Sequence, residues 1–113
     1  MYTYEAEVIR IIDGDTIEAI IDLGFKVFWK TKIRLAGIDA PEIDTVDGIV
    51  AYDALRFMIG SSKIKIVTQK DKQEKFGRYL ATVYPFAGNG DGISVNELMI
   101  KGGYAKPYEG GKR

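Results

Sequence analysis

The sequence contains no cysteine and no histidine. The first absence excludes disulfides and thiolate metal sites in any compartment. The second removes the commonest general base and the commonest zinc ligand. Hydrolytic chemistry in such a chain falls to carboxylates, lysines, arginines or a hard, oxygen-loving cation. No apolar run reaches the roughly 18 residues of a membrane-spanning helix, so no membrane partner is expected. The opening, Met1-Tyr2-Thr3-Tyr4-Glu5-Ala6-Glu7, lacks the basic start and apolar middle of a signal peptide. The chain is therefore expected to stay where it is made, unless a leader was removed. There is no charge excess either, because 16 basic residues balance 16 acidic ones. Neutrality argues against tight, non-specific coating of nucleic acid. It does not argue against an enzyme that must release its product.

What is present suffices for one small domain, residues 1–113, expected as a monomer. Hydrophobic content is 46 %, enough for a core. Residues 2–12 read as a first strand whose alternation changes phase near Val8-Ile9, predicting a bulge or bend. Asp13-Gly14 signals a tight hairpin, and residues 15–22 form a second strand with Ile17, Ala19 and Ile21 on one face. Leu23-Gly24 turns it into a third strand over 25–36. A helix is predicted over 48–60, with Ala51, Ala54, Leu55 and Met58 as its stripe. Residues 63–69 and 78–85 are the last two strands, joined by a polar loop from 70 to 77. Ser94-Val95-Asn96-Glu97 opens a short helix to about Lys101, and the tail from Tyr104 to Arg113 is expected to fray. The expected class is mainly β with two helices (α+β): five strands in a meander, closed as an OB-type barrel.

Three segments carry chemistry. In Arg34-Leu35-Ala36-Gly37-Ile38-Asp39-Ala40-Pro41-Glu42, strand alternation sends Arg34 to the polar face, away from Ile33 and Leu35. Gly37 and Pro41 then break the ladder and leave Asp39 and Glu42 on a turn beside a guanidinium. Asp13-Gly14-Asp15-Thr16 adds a carboxylate, Asp15, at the end of the first hairpin. Two carboxylates, a loop carbonyl and waters make a site of the kind calcium accepts. Glu74-Lys75-Phe76-Gly77-Arg78 supplies a second guanidinium, suited to gripping two phosphate oxygens. Each segment also has a plainer reading, as a surface turn or a solvated loop. The charges are uneven too: Lys63, Lys65, Lys70, Lys72, Lys75 and Arg78 are basic, while Asp39, Glu42, Asp44, Asp47 and Asp53 are acidic.

Taken in order, these segments, followed by Asn96-Glu97-Leu98 and Gly103-Tyr104-Ala105, resemble the staphylococcal nuclease (thermonuclease) family from about Val8 to Lys106. The resemblance implies a calcium-dependent phosphodiesterase acting on DNA and RNA with little sequence preference and leaving 3′-phosphate ends. It implies Asp15, Asp39 and the backbone carbonyl of Ala40 as calcium ligands, with Asp13 and Thr16 supporting them from behind. It makes Glu42 the group that activates water, Arg34 and Arg78 the phosphate clamp, and Lys75 and Phe76 nucleotide contacts. Tyr108 is the remaining candidate for base stacking. The departures are Ala40 for threonine, Phe76 for tyrosine, and no long final helix. The competing expectation is a non-catalytic OB-type module binding single-stranded nucleic acid or a protein segment. Trp29, Tyr79 and Tyr84 would serve it, but bare carboxylates beside a phosphate oppose it. A glycosidase with paired carboxylates is more remote.

Overall fold

The structure, a computed structural model, describes residues 2–60, 63–73, 79–85 and 92–108, and for 69–73 the backbone alone. Strands β1 (Tyr2–Asp13), β2 (Thr16–Asp22) and β3 (Phe28–Leu35) form the antiparallel run that their alternation predicts. The phase change in β1 is a register shift between Val8 and Arg10, followed by a second between Ile11 and Asp13. Such bulges bend a strand and increase its twist. β1 can then pair with β2 through its later residues and with β5 (Lys63–Gln73) through its earlier ones. β6 (Tyr79–Pro85) completes a closed barrel in the order β1-β2-β3-β6-β5.

The seam corrects the simple meander. β3 pairs with β6, not with the strand that follows it, and the pairing is parallel: Ile33 with Tyr79, Arg34 with Leu80, Leu35 with Ala81. A parallel pair needs a long crossover, and helix α1 (Val46–Ile59) with β5 supplies it. β5 also runs to Gln73, so part of the expected 70–77 loop is strand. The third strand starts later than expected, at Phe28, because Gly24, Phe25 and Lys26 all take positive φ in the turn.

The interior is built from the predicted faces. Ile17, Ala19, Ile33, Leu35, Ile64, Ile66 and Val83 are buried inside the barrel wall. Burial of one such large side chain is worth about 1.5–3 kcal/mol. α1 covers this core with Ala51, Leu55 and Ile59, while Ala54 and Met58 pack at its edge. The helix starts two residues earlier than predicted, because Thr45 caps it by accepting from the Gly48 N–H at 2.9 Å. Helix α2 (Val95–Lys101) is capped by Ser94, whose hydroxyl accepts from the Glu97 N–H at 3.0 Å, and buries Val95 and Met99.

The tail does not fray where it was expected to begin. Strands β4 (Ile38–Asp39) and β7 (Lys106–Pro107) form a two-stranded ribbon, and the Tyr108 N–H donates to the Gly37 carbonyl at 2.8 Å. Asn96 is the buried polar post behind this arrangement. Its Oδ1 accepts from the Val83 N–H at 2.9 Å, and its Nδ2 donates to the carbonyls of Ala36 and Ala81 at 2.8 and 3.1 Å. It thus joins α2, β6 and the turn after β3. Asn96→Ala removes three hydrogen bonds, although the Ala81 carbonyl keeps the Ala36 N–H at 2.8 Å, so urea denaturation should show a loss of about 3 kcal/mol, roughly 1 per hydrogen bond. A loss under half that would mean water replaces the amide.

Candidate active site

Two close approaches assemble the site. A Cβ on Gly14 would lie 2.6 Å from the Ala51 Cβ and 2.7 Å from the Ala40 Cβ. Gly14 does not have a positive φ, so contact requires the glycine here and turn geometry does not. The β1–β2 turn therefore sits directly on α1 and on the segment after β4. At Gly48 a Cβ would fall inside the carbonyl of Glu42. The first turn of α1 is thereby seated on the backbone of the acidic loop, and the Glu42 carbonyl also accepts from the Thr45 N–H at 3.0 Å and the Thr45 hydroxyl at 2.7 Å. Gly48→Ala should displace that loop, lowering thermal stability. The measurement is a melt alongside Gly24→Ala, whose Cβ meets nothing within 4 Å although its backbone is left-handed. Equal losses in the two variants would remove the contact argument.

Asp15 is the most buried acid of the site, with 3 % of its surface exposed. Its Oδ2 accepts from the Ala40 N–H at 2.9 Å, and its Oδ1 from the Thr16 hydroxyl at 2.9 Å. Its own carbonyl accepts from the Leu35 N–H at 2.8 Å. Arg34 faces the same carboxylate, with Nη1 3.4 Å from Asp15 Oδ2. Its Nη2 donates to the Ile38 carbonyl at 2.9 Å and lies 3.4 Å from Asp39 Oδ1. One guanidinium thus spans the two carboxylates. Arg34 does leave the core face of β3, as alternation predicts, but it is not on an open polar face: only 8 % of it is exposed. The Tyr108 ring covers it, with the guanidinium carbon 5.2 Å from the ring centroid, a cation–π distance.

The structure therefore gathers Asp13, Asp15, Thr16, Arg34, Asp39, Ala40 and Tyr108. Glu42 follows closely in sequence, an exposed residue whose backbone carbonyl is held by Thr45. Lys75, Phe76 and Arg78 lie outside the described residues. The donors near Arg34 are all oxygens, which suits a hard cation. Among the described residues no three acidic side chains alone make a metal cluster. An ion held by Asp15 and Asp39 would need further oxygen ligands from backbone carbonyls or water. Sequence reading missed the carbonyl of Ile38, the post at Asn96 and the stacking of Tyr108 on Arg34. Asn96 was visible only within the Asn96-Glu97-Leu98 segment of the family resemblance, with no role attached to it.

Asp13 is the perturbed acid. Burial, then the hydrogen bond and charge of Asp15, push its carboxyl from 3.8 to about 6. Its Oδ1 also accepts from the Asp15 N–H at 3.0 Å. Since folding raises this pKa, the folded chain holds more proton than the unfolded one between about pH 4 and 6. Stability from this group falls as pH rises through that window, and the cost stays in full above it. Asp13→Asn keeps the accepting oxygen and removes the charge. In metal-free buffer it should stabilise the fold at pH 8 by about 1 kcal/mol after solvent screening, and by almost nothing at pH 4. Paired melts at the two pH values check this.

Comparison with known proteins agrees with this geometry. Residues 32–113 match the family model described as "Staphylococcal nuclease homologue". An Escherichia coli protein named "Uncharacterized endonuclease" is 33% identical over 102 residues, covering 90% of this chain and 60% of its own length. "Micrococcal nuclease" of Shigella flexneri is 32% identical over 109 residues, covering 93% and 59%. "Endonuclease YncB" of Bacillus subtilis is 33% identical over 104 residues, covering 86% and 44%. The chain thus spans three-fifths or less of the length of these relatives. With the barrel, the acid pair and the matched segment in agreement, the chain belongs to the staphylococcal nuclease family.

Proposed function

We propose that this barrel is a calcium-dependent nuclease that hydrolyses phosphodiester bonds of DNA and RNA with little sequence preference, leaving 3′-phosphate and 5′-hydroxyl ends. The observation that carries the reading is one guanidinium, Arg34, held between two carboxylates, Asp15 and Asp39, beside an exposed glutamate. The names of the relatives support it, since each is called a nuclease or endonuclease.

The residues divide the work by their chemistry. Glu42 takes the proton of the attacking water, directly or through an ordered water. The water oxygen bonds to phosphorus, the bond from phosphorus to the 5′ oxygen breaks, and that oxygen takes a proton from solvent to leave as a hydroxyl. Negative charge grows on the non-bridging oxygens meanwhile. Arg34 is already oriented by the Ile38 carbonyl and by Tyr108, so it meets that charge with little reorganisation. Arg78 is the second arm of the clamp. Asp15, Asp39 and the Ala40 carbonyl would hold the calcium, with Asp13 and Thr16 fixing Asp15. The bound cation supplies electrostatic polarisation of a phosphoryl oxygen and an ordered water.

The test is digestion of heat-denatured DNA and of RNA with calcium, repeated with a chelator and with Glu42→Gln. Degradation is expected only in the first condition. Arg34→Lys should lower kcat by about 10²–10³-fold, as loss of an oxyanion donor does. Degradation that survives both the chelator and Glu42→Gln refutes the mechanism. Clean protein that binds single strands in calcium but never cuts them favours a binding module.

A further inference from the structure

The outer side of β3 carries more positive charge than the cleavage site needs. Its ladder with β2 is unbroken from Asp22–Phe28 to Thr16–Arg34. Alternate side chains on such a strand share a face. Ile33 and Leu35 enter the core, so Phe28, Lys30, Lys32 and Arg34 form the outward row. Lys30 and Lys32 are exposed. The row leads from the acid pair around Arg34 to Phe28, about 20 Å along the strand.

The acids near this row are largely engaged. Glu18, opposite Lys32, accepts from Arg10 Nε at 2.8 Å. That hydrogen bond lowers its pKa, and the charges of Lys30 and Lys32 add to the effect, so both lysines lie beside it. Three cations then face one carboxylate. Asp22, opposite Phe28, accepts from the Gly24 N–H at 2.8 Å within the turn. Glu5 and Glu7 sit on β1, two strands away from β3. Among the described residues no ion pair engages Lys30 or Lys32.

The row ends in exposed aromatics. Phe28 is 61% exposed and Phe25 is 100% exposed. Phe25 and Lys26 have φ of 56° and 62°, left-handed values that non-glycine residues rarely adopt. A strained turn that displays an aromatic ring wholly to solvent gains nothing from core packing. Rings of this kind can stack on bases only where those bases are unpaired.

We propose that the Phe28-Lys30-Lys32 row, with Phe25 at its tip, is a path for a single-stranded nucleic-acid segment running to or from the scissile phosphate at Arg34. It rests on the nuclease reading of the Arg34 site. Backbone phosphates lie on the lysines, and bases stack at the hairpin tip. The path makes the enzyme favour long, unpaired substrates over short ones.

The experiment measures anisotropy of a labelled long oligothymidylate, its duplex, and a labelled dinucleotide in chelator, so that no cleavage occurs. Hydrolysis of a small chromogenic phosphodiester in calcium is followed separately. Lys30→Gln/Lys32→Gln should weaken the long single strand about tenfold and flatten its log–log salt slope by about 1.4, the value for two lost phosphate contacts. The dinucleotide and the small diester should be unaffected. Phe25→Ser/Phe28→Ser should weaken the long strand with the slope unchanged. Unchanged affinity and slope in the lysine variant overturn the path, as do equal losses on the dinucleotide. Duplex bound as tightly as single strand overturns the choice of an unpaired ligand. If the unaltered protein hydrolyses nothing, the nuclease reading falls, while the binding series still decides the path.

Discussion

Everything near the site depends on one buried carboxylate. Asp15 receives the Ala40 N–H and the Thr16 hydroxyl through its side chain and the Leu35 N–H through its backbone. These bonds tie the first hairpin to the end of β3 and to the segment after β4. The hairpin can come so close only because Gly14 offers no Cβ to Ala40 and Ala51. Burying an unpaired carboxylate would be prohibitive. Here hydrogen bonds and the Arg34 guanidinium offset that cost, and no buried side-chain polar atom among the described residues lacks a partner.

That solution holds Arg34 without pairing it tightly. Its ion pairs to Asp15 and Asp39, each 3.4 Å, are long, while its bond to the neutral Ile38 carbonyl is short at 2.9 Å. The geometry therefore favours orientation over tight charge pairing. A guanidinium locked in a short bidentate pair would have to break it to meet a phosphate. One steered by a carbonyl and an aromatic face keeps much of its charge available. Asp13, by contrast, has no ion pair to an arginine among the described residues, and burial, then the hydrogen bond and charge of Asp15, push it toward its neutral form.

The strands and the first helix were legible because they follow from local rules, whereas the meeting of Asp15 with Asp39 was expected only from barrel twist and the family resemblance. Alternation marks Ile17, Ala19 and Ile21 as core, and Ala51 with Leu55 marks a helix face. The parallel seam between β3 and β6 was not legible, because alternation says which face a residue takes and not which strand lies beside it. The burial of Arg34 escaped notice for a related reason. Its cover comes from Tyr108, 74 positions away, and from the β4–β7 ribbon, whose strands are two residues each. The Gly- and Lys-rich composition from Tyr104 to Arg113 suggested a loose tail, and tertiary pairing overrides it as far as Tyr108. Asn96 looked like part of a helix start, whereas its amide ties α2 to two other segments, β6 and the turn after β3.

The ribbon also changes how site and stability relate. Asp39 pairs with Lys106, and the Tyr108 N–H holds the Gly37 carbonyl, so residues just beyond α2 form a wall of the same pocket that begins at Asp13. Contributions to the site therefore come from near both ends of the chain. α2 is the lever between them: its Asn96 grips the turn at Ala36, and its C-terminal turn feeds β7. Loosening α2 would release Asp39 from one side and Arg34 from the other while the β1–β2–β3 sheet remained paired. Function should fail before the barrel does, because a two-residue ribbon has few bonds to lose and a closed sheet has many.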